Sequence, residues 1–451
     1  MTDSNINPSI FRAYDIRGVY GTDLTEDVME SIGNGFGNGF VKDAAVVGMD
    51  GRVSSPGLKK AFIDGVLKAG LDVIDVGLVP RGVCLFWAWK VKKPSAYITA
   101  SHLPKEWNGI KFAYDNGVEF LEEDNRKIGE VVLKGKYKSA PSPGKTKTEN
   151  VIDNYKKFIL SKISRAARPL KVVVDCGNGT GGLVAPELFS QLGFGVKTLF
   201  KDVDGDSPKR PWVVEDSALS ELKKHVREAD FGVAYDGDSD RMSLVDEHGR
   251  VLGPEVASYI ILQDLVKSEP GPIIANVECL KIMDEIAKRN GRQIHRVRVG
   301  NSFLVQAVLE KHACFGVERS GHFCIPSIIP MDDGIAASLY AACALARTGK
   351  KLSQIVDSLP LYPFKRIKVD CADELKFGVI ERVKKRLSAE YANVNTIDGV
   401  RVDFDYGWVL IRASNTGPLI RLSVEADDAR KLLELGEKFL KILSEEIEKS
   451  K

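Results

Sequence analysis

The seven cysteines (Cys84, Cys176, Cys279, Cys314, Cys324, Cys343 and Cys371) contain no Cys-x-x-Cys pair, which removes the usual signature of a structural zinc site. Most sit among apolar neighbours and read as small buried hydrophobes in a reducing compartment. Neither sign of charge is in excess. The 64 Lys and Arg against 62 Asp and Glu leave a formal charge of +2, so nothing general points to nucleic acid as a partner. Met1–Asn5 is not a basic region leading into an apolar run, and no secretory leader is expected. The apolar stretch from Ile335 to Ala346 is too short to span a bilayer. It reads as a buried helix whose alanines permit close packing. A soluble, cytoplasmic protein with no membrane partner is expected. The glycine-rich run Cys176–Gly182 lacks the GxGxxG order of a dinucleotide loop and is better read as a tight strand–helix turn.

What is present is enough apolar sequence for several cores: 451 residues, 44% hydrophobic, too long for one ordinary core. β-rich runs alternate with helix-length segments. Ala45–Met49 precedes a predicted helix over Pro56–Ala69 and a strand over Leu71–Val76. Lys171–Asp175 precedes a predicted helix over Gly181–Leu192. This rhythm predicts an α/β protein with mixed, mostly parallel sheets covered by helices. The polar segment Lys134–Asn150 reads as a linker, and Gly253-Pro254 and Pro360–Pro363 as further boundaries. Beyond the last lie predicted strands at Phe364–Asp370, Gly399–Asp405 and Trp408–Arg412. Helices are predicted over Lys376–Glu390 and Asp427–Lys451. The expected division is 1–148, 149–252, 253–362 and 363–451: three related α/β domains and a smaller C-terminal α+β domain around a central cleft.

Three segments share one design, a short apolar strand running into a polar loop. Ser95–Ile98 leads to Thr99-Ala100-Ser101-His102, Phe231–Tyr235 to Asp236-Gly237-Asp238-Ser239-Asp240-Arg241, and Ala313–Val317 to Glu318-Arg319-Ser320-Gly321-His322. Loops at strand C-termini are where α/β sheets usually bind ligands. Ser101 offers a hydroxyl beside the His102 imidazole, a nucleophile with a neighbour that can shuttle a proton or donate to a phosphate. A helix N-cap serine is the plainer account. Lys111, after the turn at Trp107-Asn108-Gly109, can reach the same cleft. Asp236, Asp238 and Asp240 crowd three carboxylates that repel unless a cation sits between them, and hard oxygen ligands favour Mg²⁺. A calcium loop is an alternative, with Glu247 at its twelfth position, but Arg241 stands where that loop needs glycine. Arg241 itself suits phosphate neutralisation. Glu318 and Ser320 can grip adjacent sugar hydroxyls beside His322, and Arg298-Val299-Gly300-Asn301 reads as a neighbouring recognition loop. Near the C-terminus Arg412, Ser414, Asn415, Thr416 and Arg421 combine donors and charge suited to a dianionic phosphate. Tyr14 and Arg17 can close the cleft from the amino end.

Together these segments, in this order, resemble the α-D-phosphohexomutase superfamily, most closely its phosphomannomutase/phosphoglucomutase members. The resemblance covers nearly the whole chain, from Phe11–Gly18 to Arg412–Arg421. It implies four domains and a reversible transfer between the 1- and 6-positions of a hexose phosphate. Ser101 would be the phosphoserine, and Mg²⁺ would be held by Asp236, Asp238, Asp240 and the serine phosphate. A hexose bisphosphate would serve as primer and intermediate. Lys111, Arg17 and His102 would be acid/base or charge-stabilising groups. The implied partner is a small phosphosugar, with monomer and homodimer both open. Departures from the family pattern are Leu103, Ser239, Val317, Gly417 and Asn301, at positions where Asn, Gly, Gly, Glu, and Asp or His are usual. They leave room for a phosphopentomutase or a catalytically weak sugar-phosphate binding protein.

Overall fold

The computed structural model describes residues 6–12, 15–135, 137, 139–414 and 417–450. Among them four sheets follow one another along the chain, one of six strands and three of five. Three are built on one plan. The first strand of each plan is a short, mostly apolar run, Ala44–Met49, Lys171–Asp175 or Ile273–Asn276. Such a run is suited to the centre of a sheet covered on both faces. It lies between the second and third strands of its unit and is parallel to both. These strands are Asp72–Leu78 and Ser95–Ile98 in the first unit, Gly195–Leu199 and Phe231–Tyr235 in the second, and Ile294–Val297 and Phe315–Val317 in the third. The fourth strand, Trp107–Ala113, Met242–Asp246 or Phe323–Ile325, then turns back antiparallel to the third. Each sheet is therefore mixed, parallel at its centre and antiparallel on one side.

Parallel neighbours need long crossovers, and helices supply them, for example Ser55–Lys68 and Arg81–Val91 in the first unit. The antiparallel return needs only a loop. In all three units that loop is one of the polar segments singled out in the sequence: 99–106, 236–241 and 318–322. One topological position, used three times, presents the serine, the acidic hexad and the Glu318–His322 segment.

The fourth sheet is wholly antiparallel, in the order Phe364–Asp370, Leu419–Ala426, Gly407–Ala413, Val400–Phe404, Val394–Asn395. Helices Asp373–Glu390 and Ala429–Glu448 pack Val383, Leu387, Phe439 and Leu443 against its Ile411 and Leu422. Helix Gly334–Thr348 is buried as its alanines predict, and Asp333 caps it by accepting from Ala336 N at 3.0 Å. All seven cysteines are free and buried.

Two expectations need correction. Gly181–Leu192 is a 3₁₀ turn, Thr180–Leu183, followed by helix Ala185–Gln191. Pro186 has no N–H to continue an incoming helix and starts a new one. Lys134–Asn150 is more than a linker, because Thr146–Thr148 adds a parallel edge strand beside Asp72–Leu78. Its three residues are all exposed, so no apolar pattern announced it.

Candidate active site

Ser101 sits at the tip of the first loop with φ +51°, a left-handed conformation that L residues adopt only where surroundings enforce it. Its N–H donates to Thr99 Oγ1 at 2.7 Å. Arg52, fully buried, enforces the rest. Its guanidinium donates to the carbonyls of Ser101 (2.9 Å), Leu103 (2.7 Å), Pro104 (2.8 Å) and Trp107 (3.0 Å), and to Asp50 (3.2 Å). It also lies 4.3 Å from the Trp212 ring centroid. Leu103 thus serves the loop through its backbone.

The acidic hexad meets this loop directly. Ser101 Oγ donates to Asp236 Oδ2 at 2.9 Å and lies 3.2 Å from His102 Nδ1. Gly237 allows the approach, since a Cβ there would stand 2.8 Å from the Ser101 carbonyl oxygen. The turn at Cys176–Gly182 is a buttress. Thr180 donates through N and Oγ1 to the Gly237 carbonyl, at 3.0 and 3.2 Å. Ser239 has φ +64°, and its hydroxyl lies 3.4 Å from Thr180 Oγ1.

Asp236, Asp238 and Asp240 are fully buried and bring ligand atoms within 4.8 Å of one another. Burial, then Asp240 and Asp238, push the Asp236 carboxyl well up. Burial and Asp240 raise Asp238. Burial opposes ionisation at Asp240 too, yet the neighbouring cations, Lys111 first and Arg81 after it, hold it well below the usual range. Lys111, in mid-strand rather than on a turn, donates to Asp240 Oδ2 at 2.9 Å. Asp238 Oδ1 and Asp240 Oδ1 are buried without a hydrogen-bond partner among the described residues. Crowded carboxylates with unused oxygens fit a hard divalent cation. The calcium-loop alternative fails on geometry: Glu247 accepts instead from Ser353 N at 3.2 Å and Ser353 Oγ at 2.5 Å. A second group, Asp240, His322 and Asp332, already has a counter-ion in Arg81, at 3.2 Å from Asp240 and 3.1 Å from Asp332.

The third loop is tied to the hexad by backbone, Met242 N donating to the Gly321 carbonyl at 3.2 Å. Arg241 bridges the loops. Its Nε donates to His322 Nε2 at 2.9 Å, and its Nη1 lies 3.0 Å from His102 Nδ1. The Arg241 charge first, and burial second, hold the His102 imidazole well below its usual range. His102 is therefore neutral, with Nδ1 as acceptor. Glu318 accepts from Gly300 N (2.6 Å), Asn276 Nδ2 (3.1 Å) and Ser320 Oγ (3.0 Å). On the fourth sheet Arg412 and Arg421 are direct cross-strand partners. Asp398 accepts from Arg412 Nε at 3.2 Å and from Val299 N at 3.0 Å, joining that sheet to the third unit. Lys376 donates to the carbonyls of Ser414 and Gly417, at 2.7 and 3.2 Å.

One cavity of about 170 Å³ collects most of the expected residues. It is lined by Arg17, His102, Lys111, Arg241, Gly300, Asn301, Glu318, Ser320, His322, Arg412 and Arg421, together with Arg12, Asp15 and Val299. Ser101 and the three aspartates are buried and not among the lining residues, but each end of the group touches one: Ser101 Oγ lies 3.2 Å from His102 Nδ1, and Asp240 accepts from Lys111 at 2.9 Å. Arg298 is not among the lining residues. It is exposed, with its guanidinium 4.7 Å from the Phe303 ring centroid. Ser414 is buried and is not among the lining residues. Tyr14, Asn415 and Thr416 lie outside the described residues. Arg12, Asp15, Arg52, Arg81 and Asp332 were not anticipated. Arg12 and Asp15 lie inside the Phe11–Gly18 segment, and Arg52 in the short polar loop Asp50-Gly51-Arg52 after a buried strand, whereas Arg81 and Asp332 carried no local signal.

Four family models match the chain in succession. They describe phosphoglucomutase/phosphomannomutase domains I, II and III, all alpha/beta/alpha, and the C-terminal domain, over residues 8–139, 152–249, 254–362 and 367–442. The chain belongs to the phosphoglucomutase/phosphomannomutase family. It lies within the α-D-phosphohexomutase superfamily and is a phosphosugar mutase. A probable phosphoglucosamine mutase of Methanopyrus kandleri is 34% identical over 436 residues, covering 95% of this chain and 96% of the relative. A phosphomannomutase/phosphoglucomutase of Pseudomonas aeruginosa is 34% identical over 435 residues, covering 94% and 93%. Among solved structures, a phosphoglucomutase/phosphomannomutase family protein of Burkholderia thailandensis superposes with a TM-score of 0.89 at 29% identity, covering 98% of both chains. Among the described residues of this mutase, no helix is long and apolar enough to cross a membrane.

Proposed function

We propose that this mutase moves a phosphoryl group reversibly between the 1- and 6-positions of a hexose phosphate, with Ser101 as the covalent carrier. The observation that carries the reading is the meeting of Ser101 Oγ with Asp236 Oδ2 at 2.9 Å, next to His102, which lines a cavity rich in arginine. In the resting enzyme Ser101 holds the phosphate. A hydroxyl of the bound sugar phosphate attacks that phosphorus. The bond to Ser101 Oγ breaks as the bond to the sugar oxygen forms, and the hydroxyl proton passes to an acceptor in the cavity. The resulting bisphosphate turns over within the cleft and returns its other phosphate to Ser101.

Asp236, Asp238, Asp240 and an oxygen at Ser101 would hold Mg²⁺, which when bound polarises the phosphoryl group. A solved relative, the N-acetylphosphoglucosamine mutase of Aspergillus fumigatus, is described in complex with GlcNAc-6P and magnesium. Lys111, Arg17, Arg241 and His102 stabilise charge or move the proton. Arg412, Arg421 and the loop carrying Ser414, Asn415 and Thr416 hold the phosphate that is not reacting. Glu318, Ser320, His322, Gly300 and Asn301 face the sugar. Leu103 and Gly417, the departures that favour a binding-only reading, still offer their backbone carbonyls to Arg52 and Lys376, so both positions are held through the backbone. A phosphatase is disfavoured because a mutase cleft must keep its bisphosphate from water.

Intact-protein mass spectrometry after incubation with hexose 1,6-bisphosphate and Mg²⁺ tests the reading. The expected result is one added phosphate, mapped to Ser101 and absent in S101A. An unmodified wild-type protein that still binds the sugar phosphate overturns it. A panel of glucose, mannose, glucosamine and pentose phosphates then ranks substrates.

A further inference from the structure

A single carboxylate oxygen, Asp332 Oδ2, is the meeting point of three donors. Arg81 Nη1 reaches it at 3.1 Å from the first unit, Asn301 Nδ2 at 3.2 Å and His322 Nδ1 at 2.8 Å. Asp332 is fully buried, at the end of the strand Ile329–Asp332, and its other oxygen has no hydrogen-bond partner among the described residues.

The chain of contacts beyond His322 is directional. An arginine Nε can only donate, so His322 Nε2, 2.9 Å from Arg241 Nε, must be the unprotonated nitrogen. The ring proton then sits on Nδ1 and is donated to Asp332. The far end of the same guanidinium reaches His102 Nδ1 at 3.0 Å, and that nitrogen lies 3.2 Å from Ser101 Oγ. One line of hydrogen bonds thus runs from Asp332 through His322 and Arg241 to His102, whose Nδ1 stands beside the carrier hydroxyl. The partner of one imidazole nitrogen sets which nitrogen carries the proton.

We propose that Asp332 is a positioning residue for phosphoryl transfer: it fixes the His322 proton on Nδ1, so that Nε2 can anchor Arg241 at the His102–Ser101 end of the cavity. Without that carboxylate His322 can take the opposite tautomer. Two N–H groups would then face each other at Arg241, and the guanidinium would lose its aim. The role of Asp332 is one of orientation, since it does not line the cavity.

The kinetic arm of the test rests on the transfer reading above, whereas the spectroscopic arm does not. ¹⁵N spectra of the resting protein, with His322 assigned by comparison with H322Q, are expected to show Nδ1 protonated and Nε2 bare. In D332N the proton is expected to move wholly or partly to Nε2. Turnover of D332N is expected to fall about 10- to 100-fold, with KM within about threefold of wild type and an unchanged far-UV spectrum. A wild-type His322 protonated on Nε2, or on both nitrogens, overturns the proposal even if D332N fails to fold. So does a folded D332N that turns over at the wild-type rate or loses only substrate affinity. If Ser101 takes up no phosphate while His322 shows the expected tautomer, it is the transfer reading that fails.

Discussion

Gly237 lies directly against Ser101. A Cβ at 237 would stand 2.8 Å from the Ser101 carbonyl oxygen and 3.1 Å from the Trp212 ring. Neither neighbour is the free end of a flexible side chain, so Gly237→Ala must separate the serine loop from the acidic loop. Overpacking of this kind costs about 1–3 kcal/mol. We expect thermal unfolding of G237A to show that loss, and phosphorylation of Ser101 by hexose bisphosphate to fall more steeply than stability alone would require. Wild-type phosphorylation kinetics in G237A would exclude the close approach as a requirement.

Arg52 holds the other side of the same junction through four loop carbonyls and Asp50. Lysine has three donors on one nitrogen and cannot span them. Arg52→Lys leaves buried carbonyls unpaired and gives up the contact with the Trp212 ring, although Asp50 keeps Ser55, Thr99 and the backbone N–H of residue 52. We expect a stability loss of roughly 2–4 kcal/mol, with slower turnover from a loosened Ser101. Denaturant unfolding and single-turnover phosphorylation measure the two separately.

The division between what was legible in the sequence and what was not follows the range of the interactions. Ser101, the three aspartates and Glu318–His322 stand out locally because each is a polar burst after a short apolar strand. That is the pattern of a strand running into a functional loop. The shared design of the three loops is legible too, as a short apolar strand running into a polar segment, whereas the antiparallel return that each one makes comes from the strand order. Arg81 and Asp332 are 251 positions apart, and neither lies in a local pattern. Their meeting is a product of how the units pack. Arg298 shows the opposite failure: adjacency to Gly300 and Asn301 drew it into the expected site, but its side chain lies over Phe303. The edge strand Thr146–Thr148 is held by backbone hydrogen bonds to its neighbour and buries no side chain, so hydropathy carries no trace of it.

On the proposed function, the aspartate cage makes stability depend on a divalent cation. Asp236 and Asp238 are both raised by burial and by neighbouring carboxylates, so ionising them in the metal-free protein opposes folding. A cation bound only to the folded state adds about 2.7 kcal/mol at a hundred times its Kd. We expect the wild-type melting temperature to rise with Mg²⁺ and to fall on chelation. Asp238→Asn removes one buried charge and one ligand, so its melting temperature should respond less to both additions. Equal responses in the two proteins, read by calorimetry, would exclude Asp238 as a ligand.

Glu425 adds a pH dependence away from the cage. Burial pushes its carboxyl up to about 7, while hydrogen bonds from Lys281 N and Trp408 Nε1 act in the opposite sense. Its folded pKa lies above the unfolded one, so its contribution is fully present below about 4.5 and is lost as pH rises towards 7. The difference amounts to about 3 kcal/mol at most. Glu425→Gln cannot ionise. The stability gap between wild type and E425Q should therefore move in favour of E425Q between pH 4.5 and 7 and stay level above that. Parallel pH–stability curves for the two proteins would remove Glu425 as the source. Lys281 belongs to the third unit and Glu425 to the fourth sheet, so the same titration reports on the junction between them.

Arg412 and Arg421 face each other across neighbouring strands, an arrangement that is unfavourable for like charges unless an anion lies between them. Burial, and then the Arg412 charge, lower the Arg421 pKa, and Arg421 Nε has no hydrogen-bond partner among the described residues. Asp398 accepts from Arg412, and the buried Glu278 carboxyl, held low despite its burial by Arg366 and Arg412 first, supplies part of the balancing charge. The further counter-charge is supplied, on the proposed function, by the phosphate that is not reacting. One charge-assisted hydrogen bond to that phosphate is worth about 1.5–3 kcal/mol. Arg421→Ala should accordingly raise KM for the sugar phosphate about 10- to 100-fold, with a smaller effect on kcat. Removing one of two facing cations should leave ligand-free stability unchanged or higher. Saturation kinetics together with thermal unfolding in the presence and absence of inorganic phosphate decide the point: R421A should lose the phosphate-induced stabilisation that wild type shows. An R421A enzyme with wild-type KM and full phosphate stabilisation would place the anion elsewhere in the cavity.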